Sequence, residues 1–336
     1  MDPAAPAPAL LLRRRRLLGL GGAAALSLLP GCRGAAGPEL LAVRGELPGG
    51  WLRALPDPWH HRSVAEAPEL LAATATADLL ALGDGWAASL GPERLQPFGA
   101  AAVLARLAPA AAAASRLFQP DGPVLAFPWA VDPWLLVLRG RADLAARRAE
   151  GLALLLDPSL RGRLVLPASP RVVISLAGGG DDPQRLRALR AQAVAANDRD
   201  ALQLLLNGDA EAAVVPRQPM VPLLRRDPRL QALLLPGAPL NWNLLLRPAS
   251  SREPAPRAWL ERLLSPPLLP RVLAAGWVPP LPRPALEAAL AGFAASQRAL
   301  LLPEDDLGAS GVSLPPLDAA ERRRLAALWT STAPER

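Results

Sequence analysis

The sequence contains no lysine, no tyrosine, a single isoleucine (Ile174), one cysteine (Cys32) and two histidines, the adjacent His60 and His61. One cysteine excludes an internal disulfide and a cysteine-rich zinc site. Two imidazoles leave little for a His-based metal centre, so no metal, no cofactor and no catalytic residue is expected. With lysine missing, all 37 basic side chains are arginine, and the isoelectric point rises to about 11.2. The formal charge of +7 is nonetheless a poor sign of nucleic-acid binding. Arg13–Arg16 form one N-terminal block, while Arg147–Arg148, Arg225–Arg226 and Arg322–Arg324 are scattered among acids. Nucleic-acid binders gather charge on one face and interleave stacking aromatics. Long uninterrupted helices are excluded by 40 prolines, which remove helical donors and break runs into short elements.

What is present is apolar: 51% of 336 residues are hydrophobic and 20% charged, enough for a sizeable core and for two domains. Arg13–Arg16 precede the apolar stretch 17–30, LLGLGGAAALSLLP, and then Gly31 and Cys32. A basic patch, a short apolar run and a small residue before a cleavage point make a secretory signal, too short for the roughly 20 residues that span a bilayer. Leu29-Pro30-Gly31-Cys32 resembles the bacterial lipobox, which implies lipidation of Cys32, and Arg14-Arg15-Arg16-Leu17-Leu18 resembles a twin-arginine export signal. Residues 1–31 are therefore expected as signal peptide and 32–38 as a tether.

Beyond residue 38, short apolar runs alternate with helical stretches, the pattern of α/β units. Strands are predicted at 40–43, 78–82, 124–127, 134–138, 163–166, 212–215, 232–235 and 242–246. Helices are predicted at 50–55, 99–118 broken at Pro109, 142–156, 183–196, 199–207, 254–264, 284–301 and 318–329. Asp182 and Asp318 supply helix starts. The loop 177–180 reads as a flexible connection, and His60 and His61 as part of an exposed loop.

Several stretches resemble, in order, segments of the family 1 extracellular solute-binding proteins, the spermidine/putrescine-type group of bacterial ABC importers. Asp78-Leu-Leu-Ala-Leu-Gly-Asp84-Gly-Trp86 resembles the strand and turn that open onto the ligand. Phe127-Pro-Trp129-Ala-Val-Asp132-Pro-Trp134 resembles the first crossing strand, and 156–171, ending Ser169-Pro-Arg171, a segment of the second lobe. Asn207-Gly-Asp209 resembles a strand entry, Asn241-Trp242-Asn243 the return crossing, and Ala275-Gly-Trp277 a later landmark.

The resemblance implies a type II periplasmic-binding-protein fold: two α/β lobes with a hinge and an inter-lobe cleft. Lobe 1 would comprise 39–133 and 242–280, lobe 2 134–241 and 281–336. It implies a monomeric, lipid-anchored periplasmic protein that captures a small solute, polyamine-like, and delivers it to an ABC permease and ATPase complex. Asp84, Trp86, Trp129, Asp132, Ser169, Arg171, Trp242 and Asn243 are the expected ligand contacts. Cation–aromatic contacts suit an amine and each contribute around 0.5–2 kcal/mol. Trp51, Trp259 and Trp329, on helical stretches, are expected in the core. Acids are sparse, and Arg171 disfavours a doubly charged amine. Two alternatives stay open: an envelope lipoprotein of the same fold that has lost ligand binding, and an exported hydrolase using a serine with His60 or His61.

Overall fold

A computed structural model describes residues 37–198, 200–303 and 311–334. The elements follow hydrophobic pattern. β1 (Glu39–Val43), β2 (His60–Val64) and β3 (Leu79–Gly83) come first, followed by the two-residue β4 (Leu95–Gln96). β5 (Ala126–Arg139) is a single 14-residue strand, where the sequence reading expected two strands separated by a gap at Pro128–Pro133. Both prolines are accommodated: Pro128 lies beside a register shift, and Pro133 stands where the strand changes partners. β6 (Leu164–Leu166), β7 (Ala193–Ala196), β8 (Ala212–Pro216) and β9 (Leu230–Leu234) follow, then β10 (Pro239–Pro248) and the short β11 (Val312–Ser313).

The strands run in the order β2-β1-β3-β10-β5-β8-β6-β7, with β4 and β11 on β10 and β9 on β5. β5 divides this ladder. Its residues up to Pro133 pair antiparallel with β10, and from Trp134 onward it pairs antiparallel with β8 and β9. β10 is antiparallel to β3, and β3 is parallel to β1, so β1 and β3 run in the same direction as the first half of β5. β8 is parallel to β6 and antiparallel to the second half of β5. The carboxyl ends of β1, β3, β6 and β8 therefore all face the crossing at Pro133–Trp134. Open α/β sheets place ligand sites at those ends, where loop amides and helix N-termini point inward.

Each half of the ladder has its own core on either face. In the first, Trp51 and Trp259 stack at 3.9 Å with their planes 8° apart. Each donates its indole N–H to the other's carbonyl oxygen, at 2.9 and 2.8 Å. The second half packs β5, β6 and β8 against the helices Pro170–Leu176 and Pro183–Gln192 on one face, and against Ala201–Asn207 on the other. Asp182 and Asp318 cap their helices as the sequence indicates, accepting from the amides of Arg185 and Glu321.

Other elements also depart from the sequence reading. His60 and His61 lie in β2, an edge strand, because the backbone of 60–64 pairs parallel with β1. Residues 193–196 leave the expected helix to form β7, since parallel pairing with β6 outweighs alanine's helix propensity. The expected helix 284–301 is two, Arg283–Ala289 and Ala295–Leu301. Leu286, Leu290 and Leu301 of that stretch enter the core around Trp51 in the first half, although the sequence reading allotted 281–336 to the second lobe. The helix Ala319–Ser331 packs on the second half: Arg190 lies 3.7 Å over the Trp329 ring, and Leu325 and Leu328 close that core together with Leu314. The chain therefore crosses between halves a third time between β11 and this helix, within 314–318.

Among the described residues, no helix is long and apolar enough to cross a membrane, and no group of His, Cys, Asp or Glu is arranged to hold a metal ion. The calls on residues 1–36, including the signal peptide and Cys32, lie outside the described residues.

Candidate functional site

β3 ends at Gly83, and the chain turns at once into the short helix Asp84–Ala87. That turn buries Asp84, 8% exposed, while leaving Trp86 45% exposed. Asp84 Oδ1 accepts the Gly85 amide at 2.8 Å, and Oδ2 is buried with no hydrogen-bond partner among the described residues. Burial pushes the carboxyl up to about 7; the amides of Gly85 and Trp242 and the Arg171 guanidinium act in the opposite direction. Arg171 stands in the first turn of the helix that follows β6, on the other half of the ladder. Its basicity is lowered by desolvation, and Asp84 is the charge that offsets this. Asp84 and Arg171, one on each half, are thus near enough for their charges to act on one another.

Asn243 of β10 pairs with Gly83, the residue before Asp84. Its Nδ2 is a second buried polar atom without a partner among the described residues. Unpaired buried donors and acceptors each cost about 1–3 kcal/mol, so two of them beside this charge pair mark a site rather than a core. Ser169 precedes the Arg171 helix, half-buried, and its hydroxyl makes no capping bond.

One acid was missed in the sequence. Glu46 follows the carboxyl end of β1, beside the end of β3 that carries Asp84. Its carboxyl is half-buried, has no partner among the described residues, and is raised in pKa by desolvation alone. The available signal was its place just past a predicted parallel strand, the same criterion that selected Asp84.

Three expected contacts lie elsewhere. Trp129, 1% exposed, sits in the core 5.4 Å from Trp51 and 4.9 Å from Trp277, on the same face of β5 as Phe127 two positions before it. Asp132 is 4% exposed, and its oxygens accept the Gln218 amide at 3.1 and 3.3 Å. It lies 3.7 Å from Arg217, itself fully buried, and each holds the other's charge against desolvation. This pair ties β5 to the helix Arg217–Leu224 at the crossing and leaves Asp132 no free oxygen for a solute. Trp242 is 2% exposed and donates its indole N–H to Ser313 Oγ at 3.0 Å. Its ring lines an apolar cavity of about 270 Å³ with Val131, Val278, Pro280 and Leu286, on the side of the sheet covered by Arg283–Leu301.

The structure therefore brings Asp84, Trp86, Asn243, Ser169 and Arg171 to the carboxyl ends beside the crossing and removes Trp129, Asp132 and Trp242. Two mixed sheets joined by a partner-switching strand, with carboxyl ends converging on the crossing, define the type II periplasmic-binding-protein fold.

Solved structures of this fold match the chain almost end to end. The spermidine/putrescine ABC transporter substrate-binding protein PotD from Streptococcus pneumoniae superposes with a TM-score of 0.69 at 12% identity, covering 88% of this chain and 98% of that one. The TpPotD lipoprotein of Treponema pallidum gives 0.63 at 12% identity with the same coverage. Iron-bound HitA from Pseudomonas aeruginosa gives 0.63 at 15% identity, covering 88% and 99%. At these identities the likeness is one of fold. No family model and no curated protein matches the sequence.

Proposed function

We propose that this chain is the solute-capturing component of an ABC importer, held outside the cytoplasmic membrane by a lipid on Cys32. It divides into two lobes at Pro133–Trp134, and the solute binds between the carboxyl ends of the two half-sheets. The supporting observation is the placement of Asp84 and Arg171, one from each half, at the carboxyl ends beside the crossing, where each acts on the other's charge and where Asp84 Oδ2 and Asn243 Nδ2 lack a partner among the described residues. A group that bridges both halves favours the closed state by its contacts to both, and that differential affinity is what shifts the hinge. Glu46 and Asp84 supply carboxylates for an ammonium, and the exposed indole of Trp86 supplies a face for its alkyl stem, in keeping with the amine expected from the sequence. The protein performs no chemistry of its own; the closed form docks on a permease.

The reading is tested by isothermal titration of the full chain in detergent with polyamines, amino acids and organic ions, alongside small-angle scattering. A binding compound that reduces the radius of gyration is expected, and Asp84→Ala is expected to weaken it at least tenfold with the fold intact. Failure of every compound to bind or compact the chain would favour the alternative of a lipoprotein without ligand. That alternative has one observation behind it: the Trp242 indole and Arg171 already hydrogen-bond the chain's own Ser313 and Pro315.

A further inference from the structure

The polar groups around Asp84 carry more information than the sign of one charge. Among the described residues, Asp84 Oδ2 is a buried acceptor without a hydrogen bond of good geometry, the Trp242 amide being the donor nearest this carboxyl after that of Gly85, and Asn243 Nδ2 is a buried donor without an acceptor. They are carried by neighbouring positions, since Asn243 pairs with Gly83 across β3 and β10. The opposing half contributes a guanidinium, Arg171, whose Nη2 is fixed on the Pro315 carbonyl oxygen. The other acid at the carboxyl ends of that half, Asp198, is exposed and accepts the Ala168 amide at 2.9 Å.

We propose that the solute is an α-amino acid, its ammonium on Asp84 and its carboxylate between Asn243 and Arg171. The assignment rests on the solute-capture reading above and names its ligand class. An α-amino acid presents a cationic donor and an anionic acceptor on one carbon, matching an unpaired acceptor and an unpaired donor on adjacent strands. Its carboxylate neutralises the half-buried guanidinium, which a diamine instead meets with a second positive charge. Charge-assisted hydrogen bonds of guanidinium to carboxylate are among the stronger polar contacts, and a planar fork left unpaired in a closed cleft is penalised. Trp86, two residues after Asp84, and Glu46, just past the end of the neighbouring strand β1, are left to meet the amino acid's side chain, so a cationic side chain suits the site best.

The test uses matched pairs that differ only in the carboxylate: ornithine against putrescine, lysine against cadaverine, and arginine against agmatine. Titration calorimetry on the full chain in detergent is expected to show the amino acid binding at least tenfold tighter than its amine in at least one pair. Arg171→Gln is expected to remove that preference, Arg171→Lys to restore part of it, and both variants to keep the wild-type circular dichroism spectrum. If the amine binds as tightly as the amino acid in every pair, the amino-acid assignment fails while solute capture stands. If no pair binds but another compound compacts the chain, the assignment fails in the same way. If nothing tested binds or compacts it, both readings fall together.

Discussion

Asp84 shows how one carboxyl acquires a role from its surroundings. Its pKa is raised to about 7 from an ordinary value near 3.8, with desolvation as the main cause. The protonated carboxyl therefore contributes stability that is fully present below about pH 4 and is lost as the pH rises through 7. Asp84→Asn, neutral at every pH, is expected to be the more stable protein at pH 8, by up to about 4 kcal/mol. That advantage should shrink to nothing by pH 4, as urea melts across this range will show. A binding residue that destabilises its own fold is the usual signature of a site held ready for a partner. Gly276 is constrained in a different way. Its φ is +92°, and a Cβ there would lie 2.3 Å from the Gln218 carbonyl oxygen, on the helix that follows β8. Gly276→Ala combines left-handed strain with a backbone clash. It is expected to lower stability by about 2 kcal/mol or more, read as a fall in thermal midpoint.

The third crossing acts at the scale of an element. Val312 and Ser313 add a parallel strand to the start of β10, and the Val312 amide donates to the Ala238 carbonyl at 3.0 Å. A few residues on, Pro315 accepts from Arg171 in the other half. This strap thus holds Trp242 through Ser313 and orients Arg171 through Pro315, joining both halves by a few bonds. Gly311 permits the approach, since a Cβ there would lie 2.5 Å from Leu240 Cδ2. Gly311→Val is expected to lift the strap from β10. Hydrogen–deuterium exchange of peptides covering 311–317 should then quicken at least tenfold, with β1 and β3 unaffected. Unchanged exchange would mean that Leu240 yields and that the strap is held elsewhere.

At the scale of the whole molecule, the two halves are linked by β5, by the turn between β9 and β10, and by the strap. A buried polar connection between them is the Asp132–Arg217 pair, in which Arg217 also donates to the Val131 carbonyl at 2.6 Å. That pair lies within the crossing and ties β5 to the helix after β8, whereas Asp84 and Arg171 belong to opposite sides of the opening. A bound solute therefore works on the second pair and leaves the first intact, as a hinge requires.

Much of this molecule was legible in its sequence, and for definite reasons. Apolar runs such as 79–83 and 212–216 have few ways to bury themselves other than as sheet strands, and their order limits the topology to a few choices. Position just past a strand end selected Asp84, and it would have selected Glu46 had the turn after β1 been weighed in the same way. Side-chain direction was not legible. Trp129 and Trp242 sit in stretches that resemble a binding protein, yet Trp129 shares the core face of Phe127 and the strap claims the indole of Trp242. Asp132 looked like a free acid because its partner, Arg217, is 85 positions away in the chain. The linear sequence thus determined which elements form and which chemical groups stand at their ends. Only tertiary packing decided which of those groups are consumed by one another and which remain unpaired for a solute, because pairing depends on contacts between residues far apart in the chain.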